Sequence, residues 1–440
     1  MKQSFTDFAV CGGVPEFTAP LVVGRPNELP RESFLAKIEA VLDSGHLTNG
    51  GPMVAEFERQ IAEWLDVKHV VAVCNGTAAL QIMIMACNLS GEVIIPSMTF
   101  IATAHALQWI GLTPVFADID PETHTLQPDS VERCITQRTS AILGVHLWGN
   151  PCDVDELSLL AHQHDLKLLF DASHGFGCSY GMRPIGSLGD AEAFSFHATK
   201  VMHSVEGGAV VTNNDTIAER CRLMRNFGIT GLTQIESLGI NAKMSELSAA
   251  AGLTSLETVP QLIRHNANNL ALYQLHLQHI NGLTVCLPSE KHSSNGNYVV
   301  IRVDENRFGL SRDEIVLILR TEGVFARAYF SPGCHNAPPY AGNPIHTPVK
   351  LQTTEGLLTT IMQLPTGGTV NELEIKRISE LLTSIKQQAP HLRQIIQAPN
   401  ANRHPLDNSA GSKTLVHEPH STDQLVTRHL AHRVLSTTAQ

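Results

Sequence analysis

The 440-residue chain lacks several features that would each have set its class. No run approaches the roughly 20 consecutive apolar residues of a membrane-spanning helix. The opening MKQSFTDFAVCGG has no apolar core long enough for a secretory leader. Cysteines number nine, and the two nearest in sequence, Cys74 and Cys87, are 13 positions apart. That spacing excludes CxxC zinc or redox pairs and argues against a disulfide framework. The chain is short of positive charge as well, with 31 basic against 42 acidic side chains and a formal charge of −11. No basic field is available to attract a phosphate backbone, so nucleic acid is excluded as a general partner. The expectation is a cytoplasmic protein with neither a membrane nor a nucleic-acid partner.

Histidine, by contrast, is abundant. Six of the 22 histidines, His391, His404, His417, His420, His429 and His432, fall in the last 50 residues. Histidine is the usual metal ligand and pH switch. These six, however, lie in a stretch with no Phe, Tyr or Trp and little periodicity, so they read as solvated tail residues. No metal site is expected.

From about residue 68, short β-branched runs alternate with stretches of helical spacing. Strands are expected at 69–74, 92–96, 114–117, 141–146, 167–170, 193–196 and 209–212, with helices such as 77–87, 101–110 and 154–164 between them. This alternation predicts an α/β fold whose large domain has a mostly parallel sheet. Several strands are apolar throughout, as strands covered on both faces are. One long amphipathic helix is expected over 245–262. A smaller α+β C-terminal domain follows, with a strand at 298–303 and helices at 312–322 and 370–388. The expected organisation is an N-terminal segment, 1–30, a large domain, 31–262, a small domain, 263–388, and a disordered tail, 389–440.

Ligands of open α/β sheets sit beyond the carboxyl ends of the strands. After the first strand comes Asn75-Gly76-Thr77, a small turn opening a helix whose N-terminus favours an anion. After 167–170 comes Asp171, a carboxylate that is expensive to bury without a positive partner. After 193–196 comes His197-Ala198-Thr199-Lys200, where desolvation would free a lysine amine for imine chemistry. Each is ordinary alone: glycine turns and capping aspartates are common, and a loop lysine is normally solvated. Together they meet the needs of pyridoxal 5′-phosphate: an anion cradle, a carboxylate for the ring nitrogen and a lysine for the Schiff base.

The ordered motifs LTNGGPMVAEFE, NGTAAL, PSMTFIATAHAL, PVFADID, GVHLWGNPCD, FDASHGFG, SFHATK, EGGAVVTN, NAKMSE and YFSPGCH run from about residue 44 to 382. In these the chain resembles the DegT-type sugar-nucleotide aminotransferases, pyridoxal-phosphate enzymes of the aspartate-aminotransferase (fold type I) class. In PLVVGRPN, PSMTFIAT, NAKMSE and RAYFSPGCH it is most similar to dTDP-4-dehydro-6-deoxyglucose 4-aminotransferases. The resemblance implies that Lys200 forms the Schiff base and shuttles the proton, that Asp171 pairs with the ring nitrogen, and that His174 sits beside the ring hydroxyl. It places Gly76, Thr77 and Ser195 on the phosphate, Phe100 on the ring face and His335 near the sugar nucleotide. Asn241 would reach the phosphate from a neighbouring subunit, which implies a homodimer with composite sites. The implied partners are a nucleotide-linked keto sugar and L-glutamate/2-oxoglutarate. Many relatives read NYR where this chain has Asn241-Ala242-Lys243. Relatives that became dehydratases replace the Schiff-base lysine by histidine, whereas Lys200 is kept. A 3-aminotransferase on a 3-keto sugar and a non-catalytic regulatory relative are the competing readings.

Overall fold

The central sheet is built from strands that are apolar at nearly every position. They are β1 (His69–Val73), β2 (Glu92–Pro96), β3 (Thr113–Ala117), β4 (Thr139–Val145), β5 (Lys167–Asp171), β6 (Ala191–Ser195) and β7 (Gly208–Thr212). The structure, a computed structural model, describes residues 2–398. Successive side chains of a strand point to opposite faces, and here both faces are dry. Val70, Ala72, Ile94, Ile142, Leu168 and Phe170 join one buried cluster, while Val71, Val73, Val93, Ile95, Leu143 and Leu169 join a second. All seven expected strands are present, with ends shifted by at most two residues.

Sheet order is β1-β7-β6-β5-β4-β2-β3. All neighbours are parallel except β7, which runs antiparallel to both β1 and β6. An antiparallel neighbour needs no helical crossover. The chain therefore leaves β6, makes the loop that carries Lys200, and returns directly as β7. Helices α1 (Gly76–Ala86) and α2 (Ala102–Trp109) follow β1 and β2.

Two expectations need correction. The single helix over 245–262 is two, α3 (Glu246–Leu256) and α4 (Val259–Leu277). Pro260 lies in the first turn of α4, where its missing N–H costs nothing. In one continuous helix its ring would clash with the carbonyl of Leu256, four residues back. Helix α4 also crosses the 262/263 boundary, so continuous helix joins the two regions. Secondly, a helix, Ala389–Gln397, occupies the start of the expected tail. The rest of that tail, 399–440 with five of its six histidines, lies outside the described residues.

The second region contributes a three-stranded antiparallel sheet of β8 (Leu283–Cys286), β9 (Val299–Val303) and β10 (Ile361–Leu364), in the order β8-β9-β10. Both sheets belong to the compact unit Met1–Gln394. Among the described residues, no helix is long and apolar enough to cross a membrane.

Candidate active site

Helix α1 begins one residue after Asn75, whose side chain accepts a hydrogen bond from the Ala78 amide at 2.8 Å. The first amides of a helix have no partner within it, so those of Gly76 and Thr77 remain to face an anion. Glycine is required at this start. A Cβ on residue 76 would lie 2.8 Å from the Ser195 Cβ, so any side chain would push the helix end away from β6. Ser195 closes β6 opposite Gly208. Helix N-terminus, serine hydroxyl and bare glycine form a cradle that fits a phosphate.

Asp171 is the last residue of β5 and is 5% exposed. Its Oδ2 accepts from the Thr103 hydroxyl at 2.8 Å and its Oδ1 from the Ser173 amide at 3.1 Å. Thr103 Oγ1 lies 3.0 Å from Thr99 Oγ1, so both threonines on the α2 side brace the carboxylate. Lys200 lies in the loop after β6, its amide bonded to the His197 carbonyl at 2.9 Å. Burial lowers the Lys200 amine to about 8, although the Asp171 charge pulls the other way. A carboxylate and a partly desolvated amine thus share one end of the sheet. A cationic heterocycle carrying an aldehyde and a phosphate matches this donor set.

His174 belongs to a cluster of mutually touching rings. The Trp148 indole stacks on it at 5.7 Å and 16°, and Tyr298 lies 4.3 Å away at 37°. Phe330 stacks beside Trp148 and His174, 5.1 Å from the first with ring planes 4° apart and 6.3 Å from the second. Burial, and then the Lys200 charge, hold His174 well below its ordinary value. The Trp148 amide donates to His174 Nδ1 at 3.3 Å. Phe100, after β2, is 57% exposed and meets Phe330 edge-on at 6.4 Å. An exposed phenyl at the rim of a buried polar site is positioned to cover a flat ring.

Asn241 and His335 make their hydrogen bonds outside this group. Asn241 is exposed, and its Oδ1 accepts from Lys243 Nζ at 2.8 Å. It sits in a segment with Leu232, Ile235 and Leu238, all more than 70% exposed. His335 is turned inward. Its amide donates to Ser97 Oγ at 3.0 Å and its Nδ1 lies 2.5 Å from the same oxygen, while Nε2 is buried without a hydrogen-bond partner. All nine cysteines are unpaired. Among the described residues no cluster of His, Cys, Asp or Glu could hold a metal ion.

Thr103, Thr99, Trp148, Tyr298 and Phe330 were not singled out from the sequence. Thr103 and Trp148 lie inside PSMTFIATAHAL and GVHLWGNPCD, so the motifs contained them. Which motif residue faces the carboxylate is a question of helix phase that only the fold answers.

Fold and site together define an aspartate-aminotransferase-like enzyme of fold type I. Residues 29–383 match the DegT/DnrJ/EryC1/StrS aminotransferase family, and the chain belongs to it. It is 40% identical over 313 residues to a dTDP-4-amino-4,6-dideoxy-D-glucose transaminase of Shigella dysenteriae, covering 71% of this chain and 85% of that one. It is 32% identical to the protein of the same name from Escherichia coli, covering 82% and 97%. Among solved structures, DesI in the presence of its TDP-sugar product is 48% identical with a TM-score of 0.85, covering 89% of this chain and 99% of that one. The protein is therefore an aminotransferase.

Proposed function

We propose that the enzyme binds pyridoxal 5′-phosphate and transfers the amino group of L-glutamate to C4 of dTDP-4-dehydro-6-deoxyglucose. The products are dTDP-4-amino-4,6-dideoxyglucose and 2-oxoglutarate, within amino-sugar biosynthesis. What carries this reading is that Lys200 and Asp171 lie at one end of the sheet, near enough for the Asp171 charge to act on the amine. The neighbouring strand β6 ends in Ser195, against Gly76. The substrate is taken from the similarity to transaminases of that sugar and to DesI, whose structure contains a TDP-sugar product.

When bound, the cofactor supplies an electron sink that makes loss of a proton from the donor's α-carbon feasible. The chain's own residues do the rest. The amides of Gly76 and Thr77 and the hydroxyl of Ser195 bind the phosphate, with the α1 dipole adding to the attraction. Asp171, braced by Thr103, holds the proton on the ring nitrogen. Phe100 covers one ring face and excludes water from it. Lys200, whose amine titrates near 8, takes the proton from the α-carbon of glutamate and in the second half returns one to C4 of the sugar. A positioned acid/base of this kind contributes about 10²–10⁴-fold. His335, bonded to Ser97, supports the loop leading to Phe100.

Asn241 of a second copy completes the phosphate site in a homodimer. Its exposure, and that of the neighbouring Leu232, Ile235 and Leu238, supports this assignment. Unpaired cysteines support a cytoplasmic location.

The test is incubation with L-glutamate and dTDP-4-dehydro-6-deoxyglucose, with the product identified by mass and NMR. A 4-amino sugar nucleotide is expected. Amination at C3 of a 3-keto substrate alone, or no amination, refutes the reading.

A further inference from the structure

His174 is held more completely than a stacking residue requires. Its carbonyl accepts from Asn295 Nδ2 at 2.9 Å, and the same amide group reaches the Phe176 carbonyl at 2.9 Å. Its ring packs against both Trp148 and Tyr298, which also touch each other at 5.6 Å. Its Nδ1 accepts from the Trp148 backbone N–H. Trp148 itself adopts φ 60° and ψ 13°, a left-handed conformation that a bulky residue rarely takes. Such conformations persist where the surroundings over-determine them, and they cluster at functional sites.

The surroundings here are specific. Gly149, at φ 83°, presses the turn against the His174 segment. A Cβ there would come within 2.9 Å of Cys178 Sγ and 3.4 Å of the His174 carbonyl. The turn is closed by the Asn150 amide on the Leu147 carbonyl at 2.9 Å, and the His146 amide ties it to the Asp171 carbonyl at 3.0 Å. The chain segment that ends in Trp148 is thus anchored to the strand that ends in Asp171.

A backbone amide can only donate. The nitrogen it meets must therefore be the unprotonated one, which leaves the proton of a neutral imidazole on Nε2. We propose that Trp148 is the positioning residue that sets the tautomer of His174, so that Nε2–H is the single ring donor offered to the ring oxygen of the cofactor. This rests on the pyridoxal-phosphate reading above. A neutral donor fixed in one tautomer can hydrogen-bond an anionic oxygen without adding a second positive charge beside Lys200.

Neutron diffraction from deuterated crystals of the holoenzyme tests it directly. A deuteron on His174 Nε2 and none on Nδ1 is expected; density on Nδ1 overturns the proposal. Trp148→Gly keeps the amide and suits φ 60°, so it should keep the same tautomer. A flipped tautomer there would assign the effect to the indole and overturn the role of the amide. In parallel, the visible absorption maximum of the bound cofactor should be nearly retained in His174→Gln, which offers an acceptor and a neutral donor, and displaced in His174→Leu. Equal displacement in both overturns the donor role. A colourless wild-type protein would instead fail the cofactor reading, while a neutron map from crystals of that cofactor-free protein would still report the tautomer.

Discussion

Thr103→Val replaces a hydroxyl by a methyl of nearly the same shape at a fully buried position. The hydroxyl donates to Asp171 at 2.8 Å and is the only side-chain group bonded to that carboxylate among the described residues. A hydrogen bond to a charged group contributes about 1.5–3 kcal/mol net, whereas a shape-conserving swap loses little packing. The substitution should therefore destabilise the cofactor-free protein by about 1.5–3 kcal/mol, roughly 10–150-fold in the unfolding constant. The assay is urea denaturation with the slope checked for constancy. Thr103→Ser keeps the hydroxyl and should recover most of the loss. In the loaded enzyme, Thr103→Val should also weaken cofactor retention, because Asp171 loses the group that holds it towards the ring nitrogen. A Val variant with wild-type stability would refute the bracing role. Equal losses for Ser and Val would refute it too, since the effect would then be packing.

The remaining expectations concern the cradle, the amine and the second copy. Gly76→Ala brings a Cβ to 2.8 Å from Ser195 Cβ and should reduce phosphate and cofactor affinity at least ~10-fold, read by fluorescence titration, with helix content unchanged. Lys200 has a folded-state value near 8, below its unfolded value of 10.5. The unfolded chain therefore holds more protons between those values, and stability contributed by this group rises with pH across that window. The shift corresponds to about 3 kcal/mol. Cofactor-free Lys200→Met should accordingly be more stable than wild type by up to that amount at pH 7, and the gap should close by about pH 10.5 in pH-resolved denaturation; a gap independent of pH contradicts the assignment. Finally, Lys200→Ala and Asn241→Ala should each be inactive. Mixed and reassociated, they should regain about a quarter of the sites, because one site of each hybrid dimer is intact. No recovery would argue against composite sites.

The sequence made the central sheet legible because strands covered on both faces are written as continuous apolar runs, as in Val70–Val73 or Ile94–Ile95. It missed the break between α3 and α4, since the alanines and leucines on either side of Pro260 continue the same amphipathic pattern. It missed the helix at 389–397, a short amphipathic turn set in a polar stretch. In the site, Gly76, Asp171 and Lys200 could be found because each lies at or just beyond a strand end, where open sheets bind ligands. Thr103, in the first turn of α2, and Tyr298, from a region distant in sequence, could not. Their roles depend on which helix face and which sheet edge meet the pocket. The inward orientation of His335 was likewise invisible, because a histidine in a Pro/Gly loop reads equally well as exposed or as buried against Ser97.

The central claim is that Lys200 is the amine that holds the cofactor opposite Asp171. Borohydride reduction of the purified coloured enzyme followed by peptide mass mapping tests it most directly. The account predicts loss of visible absorption and a single pyridoxyl phosphate adduct on the peptide containing Lys200. An adduct on another lysine, or no adduct with the colour unchanged, would contradict it.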